Sequence, residues 1–514
     1  MEMKEKIITV KVSRFNPEQD TEARYETYKV PYKKGMTVLD VLIYIRENYD
    51  GYFAFRYRCR VGYCGSCSVL VDGIPELACM EEIPPNKKQL TVEPLSNFSV
   101  IKDLVIDMSS VDKRMLKIRP FMERKKTFEG VWPLKKEEIE NLEVVTKCMG
   151  CLGCMEACPV FNEVPQKYPG PIQMINIARF AFDPRDEGNK VKTSFFEGVF
   201  NCAFCMKCEE VCPNELPIPR KIIEKLRSQV VEEIGLLSGH KGLLENLNKT
   251  GMTLPTIGRT FIEETSEIIT PEFVKGKVGL FTGCVANVME KGSLEATLKV
   301  LTKNGMQVIT PKNQMCCGNL SLYGISLNEK MKEIANINIE SFEKHGIDTV
   351  LTICPSCGEF LKGEYFSDQK FSVKKPNFKV LDVNEYLLTQ MDLNTRDFKR
   401  LDVRVTYHDP CHLRRGQGIF KEPRELIKKI PGVDFVEMKD SDRCCGGTLR
   451  ASSPDIAASL GIKKIRKGAE TGADYLVTSC PLCVSHLSIS RAKAKIKKPK
   501  VISILDLLAK AYGE

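Results

Sequence analysis

Histidine and tryptophan are rare in this sequence of 514 residues, which has five histidines and one tryptophan. The histidines are His240, His345, His408, His412 and His486. A site that holds several metal ions must therefore rely on other ligands. Long apolar runs are also missing. The best one, VLDVLIYI at 38–45, is interrupted by Asp40 and is much shorter than the roughly 18 residues that span a bilayer. We expect no transmembrane segment.

A recognisable export signal is missing too. The N-terminal stretch MEMKEKIITVKVSRF alternates apolar and charged residues, which is typical of a strand and unlike the apolar core of a signal peptide. We therefore expect a cytoplasmic protein. The net charge of +9 is spread over runs such as RKK at 124–126 and AKAKIKKPK at 492–500, which indicate solvated surface. We expect no nucleic-acid partner.

Cysteine, by contrast, is abundant, with 22 residues. In a short secreted chain such a number would indicate disulfides, but this chain is long and groups its cysteines at chelating spacings. Metal binding is the better account. Because histidine is scarce, thiolate must supply nearly all of the ligands.

The first cysteine group is CRVGYCGSC with a fourth cysteine further on, and it consists of Cys59, Cys64, Cys67 and Cys79. Its first three members follow the plant-type ferredoxin spacing for a [2Fe-2S] cluster. Gly62 and Gly65 allow the loop to curl and bring backbone N–H groups toward the cluster sulfurs. Strand patterns and the helical VLDVLIYIREN around it favour a β-grasp domain over 1–99. The alternative is a zinc knuckle, which usually has two CxxC-like pairs.

Two CxxCxxCxxxCP runs follow, CMGCLGCMEACP at 148–159 and CAFCMKCEEVCP at 202–213. In two-cluster ferredoxins the fourth cysteine of each run ligates the other cluster. We therefore predict one [4Fe-4S] cluster on Cys148, Cys151, Cys154 and Cys212, and a second on Cys158, Cys202, Cys205 and Cys208. Two zinc sites are the alternative, but zinc rarely uses such runs.

These motifs, together with YPGPIQMINIARFAFDPRD at 168–186, make residues 1–235 resemble the iron-sulfur subunits of succinate dehydrogenases and fumarate reductases. The resemblance implies an α-helical domain with two clusters over 100–235 and a flavoprotein partner. That family commonly has another residue at the position of Cys205, which leaves a [3Fe-4S] centre. With Cys205 present we expect a full [4Fe-4S] cluster, which argues against direct electron exchange with a quinone there.

After a polar, helix-prone connection at 236–274, a five-cysteine motif occurs twice, in predicted domains 275–395 and 396–514. The copies are Cys284, Cys316, Cys317, Cys354 and Cys357, and Cys411, Cys444, Cys445, Cys480 and Cys483. Corresponding cysteines are 126–128 residues apart, which indicates a duplication. Each copy alternates strands, cysteine loops and helical segments. We predict two Rossmann-like α/β domains with parallel sheets, and cysteines beyond the carboxyl ends of strands, where such sheets bind ligands.

The whole chain is thus predicted to be a multidomain α+β and α/β protein. Five cysteines per copy exceed the four protein ligands of a zinc site or an ordinary cubane. Either one cysteine in each copy is a free thiol, or the cluster is of another kind. The motif resembles the CCG-domain family, and within it the catalytic subunits of heterodisulfide reductases. That resemblance implies two noncubane [4Fe-4S] clusters, held by these ten cysteines, facing a cleft where a disulfide is split.

The combination of these two halves in one chain resembles the thiol:fumarate reductase family. This implies oxidation of two thiols, coenzyme M and coenzyme B, to a mixed disulfide at the noncubane clusters. Electrons would then pass through the [4Fe-4S] and [2Fe-2S] clusters to a flavoprotein that reduces fumarate. We expect FAD on that partner, since this sequence lacks a GxGxxG fingerprint after a strand.

Anionic thiols need cationic groups for recognition, and HDPCHLRRGQ at 408–417 concentrates such groups beside Cys411. The candidates are His408, His412, Arg414 and Arg415, with fold-stabilising cations as the alternative. Three other functions stay open at this stage. They are a succinate dehydrogenase or quinol:fumarate reductase whose CCG domains meet a membrane quinone, a heterodisulfide reductase-like electron carrier with another flavoprotein, and a zinc-bearing scaffold or nucleic-acid module.

Overall fold

The computed structural model describes residues 6–125, 130–320, 323–325, 329–363 and 373–513. The chain forms two compact units. The first comprises Met1–Val199 and Lys207–Leu226, and the second comprises Phe200–Met206 and Arg227–Glu514. The short segment Phe200–Met206 therefore belongs to the second unit, although its neighbours on both sides in the sequence belong to the first.

A five-stranded mixed sheet opens the first unit. Its strands are β1 (Ile7–Arg14), β2 (Arg24–Pro31), β3 (Ser68–Val71), β4 (Ile74–Leu77) and β5 (Gln89–Glu93), in the order β2-β1-β5-β3-β4. β1 runs parallel to β5 and antiparallel to β2. The strand predicted from the N-terminal alternation is confirmed, because Ile8, Val10 and Val12 are buried in the core while the residues between them are not.

The helix predicted over VLDVLIYIREN is α1 (Val38–Asn48), and it shares this core through its buried face. Thr37 begins it with a capping box. The Thr37 hydroxyl accepts the backbone N–H of Asp40 at 3.3 Å, and the Asp40 carboxylate accepts the backbone N–H of Thr37 at 2.8 Å. A small ribbon of β6 (Val100–Lys102) and β7 (Val105–Ile106) follows the sheet.

The described residues from 107 to 233 are helical or irregular, but the first residues of the helical domain predicted over 100–235 form the ribbon of β6 and β7. The α-helices are α2 (Ser109–Lys117), α3 (Lys136–Thr146), α4 (Gly153–Ala157), α5 (Pro159–Glu163), α6 (Pro171–Ala181), α7 (Lys190–Phe196), α8 (Lys207–Glu210) and α9 (Glu224–Glu233). A 3-10 turn at Val199–Asn201 and a π-helical turn at Ile218–Ile223 complete this part.

The first five-cysteine copy has a five-stranded sheet. Its strands are β8 (Ile268–Ile269), β9 (Gly276–Phe281), β10 (Met306–Ile309), β11 (Thr349–Thr352) and β12 (Lys379–Asp382), in the order β12-β11-β9-β10-β8. All neighbouring pairs are parallel except β8 with β10. The edge strand β8 comes from the segment that the sequence predicts as a connection. That segment also holds α10 (Ser238–Thr250) and α11 (Phe261–Glu264).

The second copy repeats this sheet without the antiparallel edge strand. Its strands are β13 (Val403–His408), β14 (Val433–Phe435), β15 (Tyr475–Thr478) and β16 (Lys500–Ser503), in the order β14-β13-β15-β16, all parallel. The predicted duplication and the predicted parallel sheets are confirmed. Equivalent strands also keep the same register, since Phe281 pairs with Thr352 as His408 pairs with Thr478.

Helices follow the strands of both copies. In the first copy they are α12 (Cys284–Val288), α13 (Lys291–Lys303), α14 (Glu329–Glu343), α15 (Pro355–Lys362) and α16 (Val383–Thr389). In the second they are α17 (Cys411–Gln417), α18 (Glu422–Lys428), α19 (Pro454–Ala469), α20 (Pro481–Lys493) and α21 (Ile504–Ala511), with 3-10 turns at Thr395–Asp397 and Gly447–Arg450.

The two copies share one hydrophobic core. It contains Val278 and Leu280 of β9 and Val405 and Tyr407 of β13, and all four are buried. A core that crosses from one copy to the other holds the copies in a defined relation. Among the described residues, no helix is both long and apolar enough to cross a membrane.

Candidate metal centres

The first cysteine group lies on a glycine-containing loop. Backbone N–H groups of this loop point toward the cysteine sulfurs. The Cys59 sulfur accepts the backbone N–H groups of Tyr63 and Cys64, each at 3.3 Å. The Cys79 sulfur accepts the N–H of Gly62, also at 3.3 Å. Such donors stabilise thiolate charge, as they do around iron-sulfur clusters.

Two thiols of this group have pKa values that are shifted in opposite directions. Hydrogen bonds from Ser66 and then from the Cys59 region lower the pKa of the Cys64 thiol to about 6. Burial, with the neighbouring Cys79 adding to it, raises the pKa of Cys67 to about 12. Four thiolates this close together repel one another, so a cation must bind for all of them to be ionised.

Gly65 brings this loop against the next cysteine group. Its φ of +69° lies in the left-handed region, and a Cβ placed on it would lie 2.9 Å from the Cα of Cys151 and 3.0 Å from its backbone nitrogen. Only glycine permits an approach of this kind without displacing the backbone. The loop of the first group therefore touches the loop of the second group within one compact unit.

The second group lines a cavity of about 340 Å³. Cys148, Cys151 and Cys154 come from the first run and Cys212 from the end of the second run, with Ile172, Ile175, Leu216 and Ile218 among the apolar walls. The structure thus brings together the four cysteines predicted to share one cluster. Leu152, whose φ is +65°, precedes α4 and turns the chain so that the thiols converge.

Burial raises the pKa of these thiols. The pKa of Cys154 lies well above its usual range, and burial together with the neighbouring thiols raises the pKa of Cys151 to about 11. Neutral thiols in an apolar cavity have no hydrogen-bonding reason to converge, whereas iron would replace their protons. The donor set and the burial both fit an iron-sulfur cluster.

The four cysteines predicted to hold the second cubane are divided between the two units. Cys158 and Cys208 belong to the first unit, and Cys202 and Cys205 belong to the second. Within the first unit Cys208 lies close enough to Cys154 to raise the pKa of its thiol, after the larger effect of burial. Within the second unit the side chain of Cys205 is hydrogen-bonded to that of Cys444.

The first five-cysteine copy brings its five sulfurs into one buried group, which we call the first quintet (Cys284, Cys316, Cys317, Cys354 and Cys357). The sulfurs of Cys284 and Cys316 lie 3.1 Å apart. Cys317 is hydrogen-bonded to Cys316 and to Cys357, and these bonds lower its pKa to about 6. Gly283 permits the packing, because a Cβ there would lie 3.2 Å from the sulfur of Cys357.

The second copy forms an equivalent group, the second quintet (Cys411, Cys444, Cys445, Cys480 and Cys483). The sulfurs of Cys445 and Cys483 lie 3.5 Å apart. Cys444 contacts Cys411 and Cys445, and Cys483 contacts Cys480. His408 adds an imidazole here, since one ring nitrogen and the sulfurs of Cys445 and Cys483 all lie within 4.8 Å of one another.

Strand ends position four of these ten thiols, as predicted. Cys284 and Cys411 follow β9 and β13 by three residues, and Cys354 and Cys480 follow β11 and β15 by two. The adjacent pairs, Cys316 with Cys317 and Cys444 with Cys445, lie further along the loops after β10 and β14. Parallel strands that end at one edge bring these loops together.

A cleft of about 1150 Å³ opens in front of the first quintet. All five of its cysteines line the cleft, and the second copy supplies the wall that includes Thr448, Arg450 and Leu482. The other walls are mainly apolar, with Leu243, Val285 and Leu320. Tyr323 also lines it, and burial raises the pKa of its phenol to about 12.

The four cations predicted to bind an anionic thiol have other partners. His408 contacts the carbonyl of Ser441 at 3.0 Å, and His412 contacts the Glu359 carboxylate at 2.5 Å. Arg415 donates to the carbonyl of Cys205 at 2.6 Å and reaches Asp442, and Arg414 stacks over Phe420.

The described lining of the cleft includes Arg450 and none of these four cations. Arg450 and Tyr323 were missed by the sequence reasoning, because neither stands at a ligand spacing. Arg450 comes near the first quintet only because the two copies pack together, whereas Tyr323 belongs to the first copy itself.

The sequence matches three known domain families. Residues 9–113 match the 2Fe-2S iron-sulfur cluster binding domain, and residues 144–216 match the 4Fe-4S dicluster domain. Residues 278–362 and 405–488 each match the cysteine-rich domain called CCG. The predicted [2Fe-2S] and [4Fe-4S] domains and the paired CCG domains are therefore confirmed at the level of the family.

Two relatives among known proteins are informative. One is a subunit of the fumarate reductase (CoM/CoB) of Methanothermobacter marburgensis, which is 36% identical over 511 residues that cover 99% of this chain and 100% of that protein. The other is a subunit of the dihydromethanophenazine:CoB–CoM heterodisulfide reductase of Methanosarcina acetivorans. It is 29% identical over 407 residues, which cover 73% of this chain and 95% of that protein.

One solved structure has a similar fold along the whole chain. It is the crystal structure of a hypothetical protein from Helicobacter pylori, which superposes with a TM-score of 0.66 at 16% identity. The match covers 100% of this chain and 96% of that one. At this identity the likeness concerns the fold alone.

We expect Cys212→Ser to disturb the cluster of the first CxxCxxC run, because its sulfur lines the same cavity as Cys148, Cys151 and Cys154. The measurement is the EPR spectrum of the reduced protein, compared with Cys148→Ser. Both variants should alter the same cluster signal. If they altered different signals, the predicted exchange of fourth ligands would be wrong.

We expect Gly65→Ala to separate the loops of the first two cysteine groups, because its Cβ would press on the backbone of Cys151. The matched control is Gly73→Ala, which has a φ of +81° but no atom within 4 Å of its Cβ. Both changes carry a backbone strain of about 1 kcal/mol. In the EPR spectrum of the fully reduced protein, the magnetic interaction between the two clusters should weaken only in Gly65→Ala. Equal spectra for both variants would contradict the close contact.

Proposed function

This chain belongs to the family of the fumarate reductase (CoM/CoB) protein from Methanothermobacter marburgensis, and from that membership we propose that it is the iron-sulfur subunit of a complex that oxidises two thiols and reduces fumarate. Coenzyme M and coenzyme B are the proposed thiols. The observation that carries the proposal is the cleft between the two CCG copies, which all five cysteines of the first quintet line. A chain that only conducted electrons would have no use for an open cleft beside one of its clusters.

The cysteine groups fit five clusters. The proposed holders are Cys59, Cys64, Cys67 and Cys79 for one [2Fe-2S] cluster, the two sets Cys148, Cys151, Cys154, Cys212 and Cys158, Cys202, Cys205, Cys208 for two cubane [4Fe-4S] clusters, and the two quintets for two noncubane [4Fe-4S] clusters. Five clustered thiols per quintet support a noncubane form, since a cubane takes four protein ligands. When bound, the clusters transfer single electrons and their irons bind sulfur.

The proposed domain folds agree with the sheet topology. The mixed five-stranded sheet with α1 supports the β-grasp interpretation of residues 1–99, and the parallel sheets with their helices support Rossmann-like domains at 275–395 and 396–514. The predicted domain at 100–235, which is helical after the ribbon of β6 and β7, would carry both cubanes. The segment 236–274 does more than connect, because Leu243 and Leu254 form part of the wall of the cleft.

The reaction balances across the complex. Two thiols lose two protons and two electrons as their sulfur–sulfur bond forms, and fumarate gains two protons and two electrons to become succinate. In this chain the apolar walls of the cleft exclude water from the thiol sulfurs, and the cysteines of the first quintet provide the site that they approach. The fumarate half of the reaction needs FAD, for which we propose the flavoprotein partner.

Arg450 is the proposed anchor for the anionic end of a thiol coenzyme. It lines the cleft, where its guanidinium donates a 3.4 Å hydrogen bond to the hydroxyl of Ser485. Among the described residues no carboxylate forms an ion pair with it. A guanidinium without a carboxylate partner, placed in an apolar cleft, is suited to a sulfonate or a phosphate.

Contacts between cysteine groups suggest a route for the electrons. The second quintet adjoins Cys205, the thiol of Cys208 adjoins Cys154, and the loop of Gly65 adjoins Cys151. Within each unit, these contacts support electron transfer between neighbouring proposed clusters.

The flavoprotein is proposed to dock on the [2Fe-2S] loop. Val61, Tyr63 and Met80 are 70%, 82% and 57% exposed there, and all three stand beside or between the cysteine ligands. Exposed apolar side chains next to a terminal cluster provide both a contact surface and a short distance for electron transfer.

The proposed function is tested with the complex purified without oxygen. It should contain about 18 irons in each copy of this chain and form mixed disulfide and succinate in equal amounts from coenzyme M, coenzyme B and fumarate. A quinol supplied in place of the thiols should support no fumarate reduction. Activity with the quinol and none with the thiols would overturn the proposal in favour of a quinone-linked enzyme, and a zinc-rich preparation would overturn it in favour of a scaffold.

We expect Arg450→Ala to raise the KM for an anionic thiol about tenfold or more, because a charge-assisted hydrogen bond is lost. Arg400→Ala is the control, since Arg400 lies on the surface of the same copy beside Asp402. The KM should stay unchanged in that variant. An unchanged KM in Arg450→Ala would exclude the guanidinium as the anchor.

We expect Tyr63→Ala to slow electron transfer to the flavoprotein and to leave thiol-driven reduction of an artificial dye intact. Tyr52→Ala is the matched control, because Tyr52 is 85% exposed but stands outside the cysteine loop. Fumarate reduction at the normal rate in Tyr63→Ala would place the partner elsewhere.

A further inference from the structure

The second quintet has a neighbour that the first quintet lacks. His408 ends β13 and is only 1% exposed. One of its ring nitrogens lies within 4.8 Å of the sulfurs of Cys445 and Cys483. At the same register position of the first copy, β9 ends at Phe281. The duplication therefore placed an imidazole beside one quintet and a phenyl ring beside the other.

The hydrogen bonds of His408 determine which ring nitrogen carries the proton. Nδ1 lies 3.0 Å from the backbone carbonyl oxygen of Ser441. A carbonyl oxygen only accepts, so Nδ1 must be the donor. The same oxygen also accepts from the backbone N–H of Asp409 at 3.0 Å and from the ammonium of Lys464 at 3.2 Å.

The other ring nitrogen, Nε2, is buried and meets no group at full hydrogen-bond geometry, although His408 contacts the thiol of Cys445. A buried polar atom without a partner is costly, and in native proteins it calls for an explanation. Nε2 of a neutral imidazole has a lone pair available for a metal. Histidines that bind metals usually donate their second ring N–H to a carbonyl or a carboxylate, as Nδ1 does here.

A rigid framework keeps the imidazole in this orientation. Arg424 makes two hydrogen bonds of 2.7 Å to the carboxylate of Asp409, the residue after His408. The same carboxylate accepts the hydroxyl of Ser441 at 2.9 Å. These bonds hold the backbone beside the imidazole, which is buried and is not among the described residues that line the cleft.

A second difference between the copies also adds a basic group beside the second quintet. Lys464 on α19 is buried, and it corresponds to Asn338 on α14, because both stand in the matching buried faces of their helices. The Asn338 amide binds the backbone at Met315 and Cys316. Lys464 lies near Cys445 and Cys444, and burial lowers its pKa to about 8. The second site thus has a nearby ammonium group and an imidazole, whereas the first has neither at the equivalent positions.

We propose that Nε2 of His408 is a protein ligand of the iron cluster in the second quintet, so that this cluster has one nitrogen and five sulfur ligands while the first has sulfur alone. The two clusters then differ in charge and in potential. The quintet that opens on the cleft would receive the substrate, and the histidine-bound one, which adjoins Cys205, would pass the electrons on. The inference rests on the proposed cluster but not on the identity of the thiols.

The test uses the complex produced with ¹⁵N-labelled histidine. Pulsed EPR of the second cluster, in a paramagnetic state reached by redox titration, should show a strong coupling to one nitrogen. The coupling should disappear in His408→Phe, which copies the residue of the first CCG copy. It should persist in His345→Gln, since His345 lies away from both quintets, just after the end of α14, and contacts Glu267.

His408→Cys separates a ligand role from a packing role. It should retain the iron of the second quintet, as His408→Phe should, but without any nitrogen coupling. A cluster present in the second quintet of the unaltered protein with no strong nitrogen coupling would overturn this inference and leave the proposed function standing. Absence of iron from both quintets would overturn the proposed function itself.

Discussion

The structure depends on one electrostatic constraint, which is the burial of many thiols within contact distance of one another. In the first quintet the sulfurs of Cys284 and Cys316 lie 3.1 Å apart, and all five thiols are linked by hydrogen bonds. Thiolates so placed repel one another and lose hydration, so the protein alone cannot ionise them together. Iron removes this conflict, and the folded chain therefore implies its clusters.

Glycines and strand ends determine where these groups of thiols lie. Gly65 lets one cysteine loop touch the backbone of another, and Gly283 lets a strand end pass beside the sulfur of Cys357. The parallel sheets deliver the remaining thiols to one edge in each copy. Within each unit the result is a set of neighbouring thiol groups, which is the spatial requirement for moving electrons through a protein that itself conducts poorly.

Duplication supplied two similar sites, and small differences in the residues around them now distinguish the two. Phe281 and His408 occupy one register position, and Asn338 and Lys464 occupy another. Each pair exchanges an apolar or neutral group for a basic one beside the second quintet. The cleft shows the opposite asymmetry, since it is lined by the cysteines of the first quintet and by none from the second in the described lining. The first quintet therefore lines a cleft, whereas the second quintet has basic groups beside it.

Sequence alone determined the metal chemistry, because ligand spacing is local: the CxxC and CCG motifs, the duplication and the strand after the N-terminus could all be predicted from short stretches. Tertiary structure decided what surrounds each group. The cleft joins Leu243 and Tyr323 with Arg450 and Leu482 of the second copy, and these two pairs meet because the two copies pack together. His408 stands three residues before Cys411, which predicted a role in anion binding, but the end of β13 buries it and turns it toward Cys445 and Cys483. Side-chain direction at a strand end follows from the packing of the sheet, and no local pattern records it.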